Sequence, residues 1–134
     1  MTIRKRRSER DRRPGRFAYE GLERALHEKA RLGIMTALVV HPEGLMFSEL
    51  KRLCSLTDGN LSRHLDLLRR SGLVEIWKGF ENRRPQTLCR LSAEGRARFH
   101  AYLEELDRVV HDAVPRAARR VDRLPDVPAG FQPA

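Results

Sequence analysis

The sequence predicts a mainly α-helical domain with one small β-hairpin and a long closing helix. Three observations lead there. Apolar residues recur at helical spacing over most of the chain from 19 to 114. Directly after Gly72 the period drops to two, and two such runs flank a turn-rich stretch. Four of the seven prolines lie in 115–134, which marks the end of the folded part.

The first helical stretch begins near Tyr19 and continues to about His41. Leu26, Ala30, Ile34, Ala37 and Leu38 share one face, and Leu32, Met35 and Val39 add a second strip, so burial on most sides is expected. Pro42 and Gly44 stop it. A short second helix follows, with Ser48 at the cap position and Leu50, Leu53 and Cys54 facing inward. Ser55-Leu56-Thr57 makes a tight connection. The third helix is the most legible element. Thr57 is a good N-cap, Asp58 suits the positive end of the helix dipole, and Gly72 is a good stop after Ser71. Leu61, Leu65 and Leu68 define its buried face, with His64 beside them; Asn60, Ser62, Arg63, Asp66, Arg69 and Arg70 take the other side. Strands are expected over 73–78 and 86–91, joined by a basic loop, 79–85. Ser92 then caps the last helix, whose stripe is Phe99, Leu103, Leu106 and Val110 and whose end is Val114-Pro115. This stripe is more apolar than a hairpin needs as cover, so it reads as a dimer seam.

The chain carries 27 Lys+Arg against 18 Asp+Glu, a net of +9. Residues 1–16 hold eight of the cations and two acids, a net of +6, and read as a disordered basic arm. The domain then spans 17–114 and a Pro-rich tail 115–134. Such a balance points to a polyanionic partner, nucleic acid or an acidic membrane surface. The longest apolar run, 32–40, is about half of the roughly 20 residues a membrane helix needs, and the basic N-terminus lacks an apolar follow-on, so the cytoplasm and no membrane partner are expected. Cys54 and Cys89 are too few for a disulfide scaffold and read as packed, reduced thiols rather than a redox pair.

Helix, helix, three-residue turn, capped helix, strand, basic loop, strand is the layout of a winged helix-turn-helix. A helix entering the major groove must present small or polar groups at its N-terminal end, so that base edges come within reach. Thr57, Asp58, Gly59, Asn60, Ser62, Arg63 and His64 supply that, with Arg69 and Arg70 further along. Arg63 has the bidentate fork that matches guanine, and Asn60 suits adenine or phosphate. In the hairpin wing Lys78, Asn82, Arg83 and Arg84 are expected to reach the minor groove or phosphates, and Arg4, Lys5, Arg6, Arg7, Arg12 and Arg13 of the arm to add phosphate contacts. His64 has two readings, a pH-sensitive base contact or a half-buried histidine packed beside Leu61 and Leu68. Catalysis is not indicated: Ser62, His64 and Asp66 stand at i, i+2 and i+4, where the imidazole cannot bridge the other two. The other histidines lack ligand spacing, so no metal and no cofactor is expected.

The blocks Leu45-Met46-Phe47-Ser48-Glu49-Leu50, Leu56-Thr57-Asp58-Gly59-Asn60-Leu61-Ser62-Arg63-His64-Leu65, Ser71-Gly72-Leu73-Val74 and Leu91-Ser92-Ala93-Glu94-Gly95-Arg96 together resemble the core of MarR- and ArsR-type winged-helix regulators. The likeness spans roughly 28–110. It implies a homodimeric transcription factor that binds double-stranded DNA, with its recognition helix at 58–71 and its wing at 79–85. Two features depart from the pattern: the paired-cysteine metal motif of many ArsR-type sensors is missing, and the arm is longer and more basic. Repression is the expected mode, since no activation segment is evident, and no residue cluster names an effector ligand. Two alternatives stay open: a winged-helix module that docks on a protein through the same helix, and a binder of structured RNA.

Overall fold

The computed structural model describes residues 15–120 and 122–134. The arm residues Arg4, Lys5, Arg6, Arg7, Arg12 and Arg13 lie outside them. In chain order the elements are α1 (Lys29–Val40), β1 (Leu45–Met46), α2 (Phe47–Cys54), α3 (Asp58–Arg70), β2 (Val74–Glu81), β3 (Arg84–Leu91) and α4 (Ala93–Ala117).

Helix α1 starts at Lys29, not near Tyr19, because Glu28 caps it: its carboxylate accepts the Arg31 amide at 3.1 Å. The stretch ahead of it, 15–28, is a strap of turns. Tyr19 sits in the left-handed region at φ 46°, and the Gly21 amide is committed to the Glu105 carboxylate of α4 at 3.2 Å. Backbone groups used for tertiary contact are lost to a helix, which is why the periodic apolar residues there do not extend α1. Leu26 of the strap is nevertheless fully buried, beside Ile34, Met35 and Leu38 of α1. Helix α2 likewise departs from the expected cap: Met46, not Ser48, is the N-cap, and its amide donates to the Glu49 carboxylate at 3.1 Å.

Helix α3 follows its sequence signals closely. The Thr57 hydroxyl accepts the Asn60 amide at 3.2 Å, Leu61 and Leu68 are fully buried with Leu65 almost so, and Gly72 turns the chain at φ 77°. The sheet contains a strand not read from the sequence. Leu45–Met46 pairs antiparallel with Cys89 and Leu88, giving the order β1-β3-β2. The hairpin is also longer than expected: β2 and β3 pair from Val74↔Leu91 out to Glu81↔Arg84, so the seven-residue loop shrinks to a two-residue turn at Asn82-Arg83.

Ser92 caps α4 through its hydroxyl, which accepts the Gly95 amide at 2.8 Å. The helix passes Pro115 and ends at Ala117. Proline leaves the His111 carbonyl without its helical donor, but this last stretch is exposed and water can take that place. Phe99 and Tyr102 of α4 are buried and stack with ring centroids 6.0 Å apart. Among the described residues no helix is long and apolar enough to cross a membrane.

Gly95 is where α4 closes on the sheet. A β-carbon there would drive into the Leu73 carbonyl, which already accepts the Ser92 amide at 3.1 Å. Gly95→Ala is expected to lower unfolding free energy by about 3 kcal/mol, the upper part of the overpacking range. Gly59→Ala meets open space and is expected to raise it by about 0.5–1 kcal/mol. Urea titrations of both variants check the pair, and an unaffected Gly95→Ala protein would contradict this seating of α4.

Candidate nucleic-acid interface

Burial of the leucine stripe turns the opposite side of α3 outward. Thr57, Asp58, Gly59, Asn60, Ser62, Arg63, Asp66, Arg69 and Arg70 are all exposed on it. The first turn is small and polar, so a partner surface meets little steric obstruction there. Its one acid is met by a cation: Lys51 of α2 lies 2.9 Å from the Asp58 carboxylate. Arg63 donates to the Asn60 side-chain oxygen at 3.3 Å, and among the described residues no carboxylate lies against it. Arg69 and Arg70 are different. Both are held by Asp66, at 2.8 and 3.1 Å, and the Arg69 hydrogen bond keeps the Asp66 carboxyl below its ordinary range. Reaching a phosphate requires them to exchange that carboxylate for it.

The hairpin projects beyond the core as a second exposed element. At its tip Asn82 and Arg83 take φ 50° and 65°, the left-handed pair that a two-residue type I′ turn requires. Asparagine tolerates this geometry; arginine is strained in it, so its charge is placed there at a conformational cost. Arg84 is the first residue of β3 and exposed. Lys78 is tied across the ladder to the Thr87 hydroxyl at 3.0 Å, which directs it along the hairpin. Two aromatic residues also lie here. Phe80 is 79% exposed opposite Pro85, and Trp77 is half exposed with the Arg90 guanidinium 5.3 Å from its ring centre. The tight turn carries the paired strands past the core and leaves Phe80 in solvent.

The winged helix DNA-binding domain family matches this chain over residues 30–110. The chain belongs to that family. An uncharacterized protein of Methanocaldococcus jannaschii is 37% identical over 70 residues, which is 52% of this chain and 76% of that one. The structure of a transcriptional regulator homologue from Pyrococcus horikoshii is 32% identical, covers 66% of this chain and 86% of its own, and superposes with a TM-score of 0.62. The M. tuberculosis regulator MosR, solved with DNA, shares the fold at 22% identity and a TM-score of 0.57, over 86% of this chain and 80% of its own. The architecture is also that of MarR-family regulators. The family is one of DNA-binding domains, and the Pyrococcus horikoshii relative is described as a transcriptional regulator homologue.

Within the winged helix domain the structure bears on two sequence expectations. His64 lies beside the leucine stripe and not on the outward face: its side chain is 12% exposed and its Nδ1 lies 3.3 Å from Arg31 of α1, the half-buried one of its two readings. Phe99 is not at a dimer seam, because it is 1% exposed within the single chain. Leu106 is partly buried against the same core, while Leu103 and Val110 are exposed, as is Val114 one turn on. Among the described residues no group of three or more His, Cys, Asp or Glu side chains stands where it could hold a metal.

Cys89 faces the core from β3, fully buried, and burial pushes its thiol up to about 11; burial also raises the Cys54 thiol. Only the thiolate reacts quickly. Iodoacetamide at neutral pH is expected to leave Cys89 unlabelled in the folded winged helix domain and to label it on unfolding, with mass spectrometry as the readout. The sign for stability follows. The neutral thiol favours the fold below about pH 9, and that contribution is lost as pH rises through about 11.

Proposed function

We propose that the chain is a homodimeric transcriptional repressor that reads double-stranded DNA with α3 in the major groove and places the β2–β3 wing on the minor groove or the flanking phosphates. The observation that carries this reading is the outward face of α3. It is small and polar in its first turn and offers one unpaired guanidinium, Arg63, at the depth where base edges are met. Thr57, Asp58, Gly59, Asn60 and Ser62 let the helix approach, and the Asn60 side chain is a second candidate for base contact. Arg69, Arg70, Lys78, Asn82, Arg83 and Arg84 serve phosphate and wing contacts, with the arm of net charge +6 adding sequence-independent affinity. Family membership supports DNA as the polyanion in preference to RNA or a protein partner. Repression is favoured because neither the arm nor the tail has the composition of an activation segment.

Dimerisation is assigned to Leu103, Val110 and Val114, which leave apolar surface along α4. Typical half-site spacing of about 34–36 Å would bring two α3 helices into successive major grooves.

The test starts from a duplex selected out of a random pool with the purified protein. Arg63→Ala is expected to weaken binding to that duplex by about 1–3 kcal/mol while random duplex is bound nearly as before. Arg83→Gly is expected to split two signs. It relieves the turn strain and raises the unfolding temperature, yet it lowers the salt slope of duplex binding by about one contact. Fluorescence anisotropy over a salt series reads both. Equal loss of selected and random duplex in Arg63→Ala, or failure to select any duplex, would leave α3 as a surface for another partner. Val110→Glu is expected to give a folded monomer by sedimentation with much weaker duplex binding; a dimer of unchanged mass would move the seam elsewhere.

A further inference from the structure

Helix α3 is braced from behind by a polar network that its leucine stripe does not require. The Arg31 side chain is 15% exposed; its Nε donates to the Ala25 carbonyl at 2.7 Å and its Nη1 reaches His64 Nδ1 at 3.3 Å. The Glu28 carboxylate lies 3.9 Å from Arg31 Nη1 and 3.9 Å from His64 Nδ1. A guanidinium has five donors and no acceptor, so this contact needs a lone pair on His64 Nδ1 and puts the ring proton on Nε2. The charged groups that face the ring are thus one cation from α1 and the carboxylate that caps α1.

Ala25 belongs to the strap, and the strap is fastened to α4. Arg98 of α4 lies 2.6 Å from Glu23, the Glu105 carboxylate accepts the Gly21 amide, Asp112 accepts the Tyr19 hydroxyl at 2.6 Å, and His27 meets the Tyr102 hydroxyl at 2.9 Å. Arg98 also donates to the Ser71 carbonyl at 2.8 Å, at the C-terminal end of α3. The helix is therefore held in its middle by Arg31 and at its end by Arg98, both referenced to one strap. Apolar packing of Leu61, Leu65 and Leu68 is non-directional and resists rolling of α3 only softly; a fixed hydrogen bond to His64, the residue next to Arg63, sets the roll.

We propose that Arg31 is a positioning residue for base reading: through His64 it fixes the rotation of α3 about its axis and so the approach of Arg63 to the groove. The inference rests on the assignment of α3 to DNA made above. Sites that read a partner depend on such supporting contacts, because small errors of placement forfeit directional bonds.

Four variants test it: Arg31→Met, His64→Leu, their double, and His64→Gln, whose side-chain carbonyl can still accept from Arg31. Each is measured below its unfolding transition for binding to the selected and to random duplex. Arg31→Met and His64→Leu are each expected to lose about tenfold on the selected duplex and to hold random duplex within about twofold, the double to lose no more than the worse single, and His64→Gln to bind like the parent. Ring ¹⁵N spectra of the parent are expected to show His64 as the Nε2–H tautomer, and that signature to be lost in Arg31→Met. Equal loss on both duplexes, additive losses, no loss at all, or an Nδ1–H ring donating to Glu28 would each overturn the role of Arg31. If the parent itself prefers no duplex, the DNA-reading assignment has failed and takes this proposal with it; an intact preference with indifferent variants removes Arg31 alone.

Discussion

Burial of Leu61, Leu65 and Leu68 along one side of α3 determines what that helix can offer a partner, and most of the fold serves this burial. Each leucine removed from water contributes about 2 kcal/mol, so the stripe outweighs every exposed ion pair on the same helix, which are worth about 0–1 kcal/mol each. The surrounding core supplies the other half of the contact: Ile34, Met35 and Leu38 from α1, Leu50 from α2, Leu73 and Val74 at the start of the sheet. Because the stripe takes about one position per turn of a helix with 3.6 residues per turn, most of the remaining positions face solvent, with His64 and Leu67 half-buried at its flanks. That geometric remainder is the candidate site.

Helix α4 divides its length between two tasks. Near its start it is a core element, with Gly95 against the Leu73 carbonyl and Phe99 and Tyr102 sealing the interior. Further on, the apolar residues Leu103, Val110 and Val114 are exposed while Glu105 and Asp112 on another side hold the strap. One rigid helix thus carries an unpartnered apolar edge and, through the strap and Arg98, a connection to the end of α3. A change in how that edge is covered has a short physical path to α3, made of hydrogen bonds with discrete partners.

Local signals were the legible ones. Thr57, Ser92 and Gly72 act within a few residues of themselves, and each does in the structure what its chemistry implies. The outward face of α3 was legible for the same reason, since a leucine period determines both of its sides. What escaped the sequence depends on distant partners. Tyr19 and Gly21 carry helical spacing, but Asp112 and Glu105, more than eighty positions away, claim their polar groups. The place of His64 beside the leucines was legible, but its partner Arg31, 33 positions earlier, was not. Phe99 was read as a seam because a stripe has no label for which of two apolar surfaces it meets. The wing tip was underestimated because Asn82-Arg83 lacks the glycine that usually announces a two-residue turn.

Charge shows why composition and site are different quantities. Of the net +9, six units belong to residues 1–16. In the folded domain arginine is abundant, and half of it is committed to acids, for example Arg69 and Arg70 to Asp66, Arg90 to Glu75, and Arg98 to Glu23 and Glu94. An arginine already meeting a carboxylate gains little by meeting a phosphate, because one charge-assisted bond replaces another. The guanidinium groups that gain most are those with no acid beside them; among the described residues Arg24, Arg52 and Arg96 are such groups elsewhere on the surface, and Arg63 on α3 with Arg83 and Arg84 at the wing tip are those of the candidate site. They stand on the two elements that project from the core, one set by a buried leucine stripe and the other by a strained two-residue turn. The folding of this chain therefore sorts its cations, drawing about half of those in the folded domain into ion pairs and leaving Arg63, Arg83 and Arg84 without one on these two elements.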